Sequence, residues 1–191
     1  EQHLSNQLKA VPEPTVYPRT IGKDGKLIAT PKNDWTEGFY PGCLWYIYEH
    51  NREENWKQSA IKWTEALEPM KKLTSHHDIG FLIYCSFGNA YRLTGKEEYK
   101  DVIIEAANSL TTRFSEVTGC IKSWNYRKAW NGRDEWFYPV IIDNMMNLEL
   151  LYFASKVTGD TRYAKIATTH AETTAKNQLR KDYSNYHVVD Y

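Results

Sequence analysis

The chain has 191 residues, with 24 Lys plus Arg against 24 Asp plus Glu and a formal net charge of zero. That balance leaves no electrostatic footprint for a nucleic acid, and no apolar run is long enough to span a bilayer. Three cysteines without CxxC spacing, Cys43, Cys85 and Cys120, exclude a zinc or redox motif and a paired disulfide framework.

Residues 1–34 hold Pro12, Pro14, Pro18 and Pro31 around a turn at Lys23–Gly25, which predicts an extended N-terminal arm able to fold into a small hairpin. From Trp35 the pattern becomes helical. Helices are expected over 37–50, 53–73, 78–93, 97–114, 143–157 and 161–179. The segments 78–93 and 143–157 are apolar over most of their surface, which predicts burial all round, whereas 97–114 and 161–179 are one-sided. The end, "YHVVDY", reads as a short extended piece. The cysteines read as small core residues.

The stretch "YRLTGKEEYKDVIIEAANS" aligns with "SKVTGDTRYAKIATTHAET", so Thr94–Gly95 matches Thr158–Gly159 and Tyr99 matches Tyr163. In each, Gly ends one helix in the left-handed conformation, and a polar residue such as Asp160 caps the next. Buried helices alternating with one-sided helices fit an inner ring inside an outer ring. The fold class expected is all-α, an α/α toroid or (α/α)6 barrel. Residues 35–191 would form the N-terminal half of a single toroid domain, supplying about three helical hairpins.

In such a toroid Asp78 and Asp143, 65 residues apart, open neighbouring inner helices on one rim. Two readings are open. In one, each serves as an N-cap; in the other, the two form a carboxylate pair in which one charge makes the second proton harder to remove. The loop before Asp143 carries Trp124, Trp130 and Trp136 with Arg127 and Arg133, and Trp35 precedes the first helix in a similar way. Aromatic faces pack against the apolar faces of sugars, and aromatic residues make up 14% of the chain. Burial over the rim is the alternative. His77 and His187 lie toward loops, and His170 reads as a structural helix residue. No HxxxH pair, phosphate loop or nucleophile elbow occurs, so neither a metal nor a cofactor is expected.

The motifs "WTEGFYPGCLWYIYE", "HHDIGF", "VIIDNMMNLELL" and "YHVVDY", in this order from about Trp35 to Tyr191, resemble the unsaturated glucuronyl hydrolases, glycoside hydrolase family 88. The resemblance implies release of a 4,5-unsaturated uronic acid from the non-reducing end of lyase-generated oligosaccharides, by hydration of the C4–C5 double bond. By motif, Asp143 would be the general acid/base and Asp78 the second essential carboxylate. Trp124 would stack on the sugar, with Trp35 as a second aromatic wall. His187 and His77 would contact substrate, and Asn144 would orient Asp143. The partner implied is an unsaturated oligosaccharide, of the glycosaminoglycan disaccharide type, with no nucleic acid and no membrane. The loop from Trp124 to Asp143 is a few residues longer than a minimal family loop, and the family's later Gln, Trp and Arg positions have no counterpart. A non-catalytic sugar-binding fragment and another toroid enzyme, such as an unsaturated rhamnogalacturonyl hydrolase, are the alternatives. The Pro-rich arm and the missing start methionine point toward a periplasmic or otherwise extracytoplasmic protein, with a cytoplasmic one as the alternative.

Overall fold

The computed structural model describes residues 1–191. In chain order it contains α1 (Gln2–Ala10), β1 (Tyr17–Ile21), β2 (Leu27–Thr30), α2 (Phe39–Asn51), α3 (Glu54–Glu65), α4 (Ile79–Ile83), α5 (Asn89–Thr94) and α6 (Glu97–Thr111). There follow β3 (Phe114–Ser115), β4 (Cys120–Ile121), β5 (Arg127–Lys128), β6 (Glu135–Trp136), β7 (Pro139–Ile141), α7 (Leu148–Thr158), α8 (Thr161–Gln178) and β8 (Val188–Asp190). The strands pair antiparallel as β1–β2, β3–β4, β5–β6 and β7–β8. No helix is long and apolar enough to cross a membrane.

The chain divides into two compact units: Glu1–Lys71 with Phe81–Ile103, and Lys72–Gly80 with Ile104–Tyr191. The first unit is built on an aromatic core. Trp63 lies edge-on to Tyr17 and Tyr40, with ring centroids 4.9 and 4.7 Å away. Such pairs contribute about 0.5–1.5 kcal/mol each beyond their buried area. The polar edges of these rings are satisfied as well: Trp45 Nε1 donates to Thr64 Oγ1 at 2.9 Å, and the Tyr17 hydroxyl donates to the Trp63 carbonyl at 2.9 Å. Helix α2 approaches the chain at Phe81 so closely that a Cβ on Gly38 would stand 1.9 Å from the Phe81 carbonyl oxygen.

Residues 79–94 form one helical run interrupted by a π-helical turn over Tyr84–Gly88. Side chains compete there for the carbonyls that an α-helix needs: Ser86 Oγ donates to the Leu82 carbonyl and Asn89 Nδ2 to that of Cys85. In the second unit α7 and α8 form a helical hairpin with a short link. Gly159 ends α7 at φ 75°, and Asp160 Oδ1 accepts from the Arg162 amide at 2.9 Å to begin α8. Gly95 ends α5 with the same left-handed geometry at φ 67°. Thr94 and Thr158 each donate to the carbonyl four residues back, so the sequence repeat marks a repeated stop signal.

Several expectations are corrected. Residues 2–10 are helical rather than extended, while the turn at Lys23–Gly25 does join two strands. Cys120 is buried, but Cys85 is half-buried and Cys43 exposed, so only one of the three is a full core residue. The helix expected from residue 143 begins at Leu148, after a 3-10 segment over Ile142–Asn147. It is also not buried all round, since Tyr152 is 44% exposed. The helix expected over 53–73 is α3 followed by a separate 3-10 turn at Glu68–Lys72.

Candidate active site

Main-chain bonds in the second unit tie four distant segments together. Ser123 lies at their centre. Its carbonyl accepts from the His77 amide at 3.0 Å, and its amide donates to the Pro139 carbonyl at 2.8 Å. Its hydroxyl accepts from the Ile141 amide at 2.9 Å. His76 and Trp124 form an antiparallel bridge beside it. Strand β7 pairs with β8, and the Ile142 amide donates to the His187 carbonyl at 3.0 Å. Short-range backbone geometry therefore brings His77, Asp78, Trp124, Asp143 and His187 to adjoining positions. Beneath them, Arg113 Nε donates to the Lys122 carbonyl at 2.6 Å, and its Nη1 donates to the Thr74 carbonyl.

The carboxylates meet a buried imidazole. His77 Nε2 lies 3.1 Å from Asp78 Oδ1 and 3.9 Å from Asp143 Oδ1. On the far side of Asp78, His76 Nδ1 stands 2.8 Å from Oδ2. The side chain of Asp143 is 41% exposed, that of Asp78 13% and that of His77 1%. Asp143 is thus the member of the pair that a bound molecule can reach. Burial, with a contribution from the Asp78 charge, pushes its carboxyl up to about 6, and His187 opposes this in part. Burial holds His77 down to about 4 despite the neighbouring Asp78, so the ring is neutral near pH 7.

Asp143 is not the N-cap of its helical segment, which is Ile141. Asp143 lies in the first turn of the 3-10 segment that leads into α7, and Asp78 immediately precedes α4 with its oxygens facing His76 and His77. A helix start, which would favour the ionised form, is therefore outweighed at Asp143 by burial and the Asp78 charge.

An aromatic surface adjoins the pair. Trp124 meets His77 edge-on at 5.8 Å and lies near-parallel to Trp136 at 6.3 Å. The Arg127 guanidinium stands 5.2 Å from the Trp124 ring, and Trp130 approaches His187 at 5.5 Å. Trp130 is 55% exposed, so an aromatic face is open to a ligand here. Strands β5 and β6 carry this surface by pairing Arg127 with Trp136.

Of the residues expected from sequence, Asp143, Asp78, His77, Trp124 and His187 are gathered here. Trp35 stands in the first unit, 45% exposed, with Phe39 and Phe81 at 6.1 and 6.4 Å and the Arg19 guanidinium 5.2 Å from its ring. Two roles need correction. His77 is buried and faces the carboxylates instead of offering a sugar-contacting surface. Asn144 does not bond to Asp143: its Nδ2 donates to the Ile121 carbonyl at 2.7 Å, and its Oδ1 accepts from Asn147 at 2.9 Å. Sequence reasoning passed over Ser123 and Asn147. The signal for Asn147 was its place one helical turn after Asp143 within "IDNMMN". No group of three or more His, Cys, Asp or Glu side chains is arranged to hold a metal ion.

No protein-family profile matches the chain. Among curated proteins it is 45% identical, over 177 residues, to an unsaturated glucuronyl hydrolase of Formosa agariphila, covering 92% of this chain and 43% of that protein. It is 36% identical over 163 residues to an unsaturated chondroitin disaccharide hydrolase of Streptococcus agalactiae, covering 81% of this chain and 38% of the relative. A crystal structure of an unsaturated glucuronyl hydrolase specific for heparin superposes with a TM-score of 0.90 at 42% identity, over 98% of this chain and 48% of that one. The chain thus spans less than half the length of the proteins it matches. Its fold class is the α/α toroid expected from the helical repeat. Sequence identity along nearly all of its residues and the shared fold agree: the chain belongs to the unsaturated glucuronyl hydrolase family.

Proposed function

We propose that the protein carrying this chain hydrates the C4–C5 double bond of a 4,5-unsaturated uronate at the non-reducing end of an oligosaccharide. Residues 35–191 would belong to its catalytic domain, with residues 1–34 as an arm. The observation that carries the reading is Asp143: a half-exposed carboxyl, raised to about 6, beside a second carboxylate and an open aromatic face.

In this reading the Asp143 carboxyl donates its proton to C4 of the vinyl ether, and the π pair forms the new C4–H bond. Water adds its oxygen to C5 and returns a proton to Asp143. The C5 hemiketal then opens by breaking the bond to the ring oxygen, which takes the hydroxyl proton. C1 becomes a hemiacetal that collapses to an aldehyde and releases the remaining sugar as an alcohol. Asp78 is the second carboxylate, and its charge helps to keep the proton on Asp143. Trp124 stacks on the sugar, and His187 lines the same face. The attack is at C5, unlike glycoside hydrolysis through an oxocarbenium-like anomeric centre.

The substrate class is an unsaturated glycosaminoglycan disaccharide. The names of the Streptococcus agalactiae relative and of the heparin-specific structure support this, as does the cationic Arg127 on the aromatic face. The test is incubation of the protein with unsaturated chondroitin and heparin disaccharides while following the ultraviolet absorbance of the conjugated double bond. Absorbance should fall, and Asp143→Asn should abolish the fall. A persistent signal in the unsubstituted protein, or activity retained in the variant, overturns the reading.

A further inference from the structure

The amides around His77 can be oriented from a fixed starting point. The Ile121 carbonyl can only accept, so the Asn144 atom 2.7 Å away is the nitrogen. Asn144 Oδ1 then faces Asn147 at 2.9 Å, and the atom meeting it must be Asn147 Nδ2. The same nitrogen lies 3.0 Å from His77 Nδ1. Its second hydrogen is directed there, which makes Nδ1 an acceptor. A neutral imidazole has one N–H, so the hydrogen sits on Nε2, the atom facing both carboxylates. Asn144, Asn147 and His77 are all fully buried, so no solvent competes for these contacts.

We propose that Asn147 is a positioning residue that fixes His77 as the Nε2–H tautomer and thereby decides which of the two aspartates holds their shared proton. The inference rests on reading Asp78 and Asp143 as the reactive pair. With its hydrogen on Nε2, 3.1 Å from Asp78 Oδ1, the ring turns the positive end of its dipole toward that carboxylate and favours its charge. The proton then remains on Asp143, the more exposed member. In the opposite tautomer a lone pair would face Asp78, and the charge that holds the proton on Asp143 would be disfavoured. The other titratable groups facing His77 are His76, Arg113 and His170, and His187 faces Asp143.

The test uses protein with 15N-labelled histidine and a long-range proton–nitrogen correlation spectrum at pH 7. His77 should show Nε2 protonated and Nδ1 bare. A protonated Nδ1 overturns the proposal, and this measurement needs no variant. The second measurement follows the Asp143 carboxyl carbon through a pH titration, in the unsubstituted protein and in Asn147→Leu and Asn147→Asp. Leu removes the donor, and Asp replaces it with an acceptor. The midpoint should fall in both variants, by roughly one pH unit. An unchanged midpoint in folded variants, judged by near-ultraviolet circular dichroism, overturns the proposal. Neither readout uses substrate, so an inactive protein with the expected tautomer would count against the proposed reaction alone.

Discussion

Asp143 keeps 41% of its side chain open, yet its Oδ1 is buried 3.9 Å from His77 Nε2. One oxygen of the carboxyl is thus held inside the protein, away from water. This arrangement makes burial the leading cause of its raised pKa, ahead of repulsion from Asp78.

A pH dependence of stability follows. The folded value for Asp143 is about 6, above that of an unfolded aspartate, so between the two the native state binds more protons. Stability from this group is present at low pH and declines as pH rises through about 6. Replacing Asp143 with Asn should therefore raise Tm at pH 7–8, and the gain should vanish toward pH 4. Calorimetric scans of both proteins across that range check it. Activity that requires the acid form should decline over the same upper window.

The buried histidines act in the opposite sense. His77 and His170 are both held down to about 4 by burial. Below about 6.5 the unfolded chain takes up protons that the native state refuses, so their contribution is lost as pH falls toward 4. His170 Nδ1 accepts from the Ile121 amide at 3.1 Å. A His170→Gln variant should be less stable near pH 7, by about 1–3 kcal/mol. Its stability should also depend less steeply on pH between 4 and 6.5. Urea denaturation at several pH values reads both.

Gly80 has a strict spatial role. A Cβ there would stand 2.0 Å from Asn147 Oδ1 and 2.9 Å from Asn147 Cα. Gly80→Ala should lower stability by about 1–3 kcal/mol through overpacking. It should also reduce activity more than that loss explains, because the residue displaced is the one bonded to His77. Chemical denaturation paired with initial rates separates the two effects.

Trp130 should behave in the reverse manner. It is 55% exposed and packs against Trp124, Trp136 and His187. Trp130→Ala should change stability by less than about 1 kcal/mol, while the loss of a stacking face raises KM roughly 3- to 10-fold. Equal losses of stability and affinity would assign the ring to packing alone.

The helices were legible because their signals are local. Apolar spacing marked α2, α3, α6 and α8, and the Thr–Gly pairs marked where α5 and α7 stop. The hairpin of β1 and β2 and the extended piece holding β8 were legible, whereas β3 to β6 were not, since they are two residues each and leave no alternating run to read. Helix α1 has no buried residue, so it lacks the apolar stripe on which such readings depend. In "VIIDNMMN" the apolar content imitated a helix start, although the chain makes a 3-10 segment there. The two aspartates and Trp124, singled out by motif and spacing, lie near one another around His77. Asn144 was misassigned because adjacency to Asp143 in sequence says nothing about direction: its side chain turns to Ile121 instead.

Ser123 carries a consequence for motion. Its amide, carbonyl and hydroxyl each hold a different piece of chain: Pro139, His77 and Ile141. An opening fluctuation at this one residue would release all three together, and with them the backbones on either side of the two aspartates. The amides of His77, Ser123 and Ile141 should therefore exchange with deuterium as one class, at a single opening free energy. The acid pair would then exist either fully assembled or not at all, so that a partly opened protein has no half-formed centre able to leak protons.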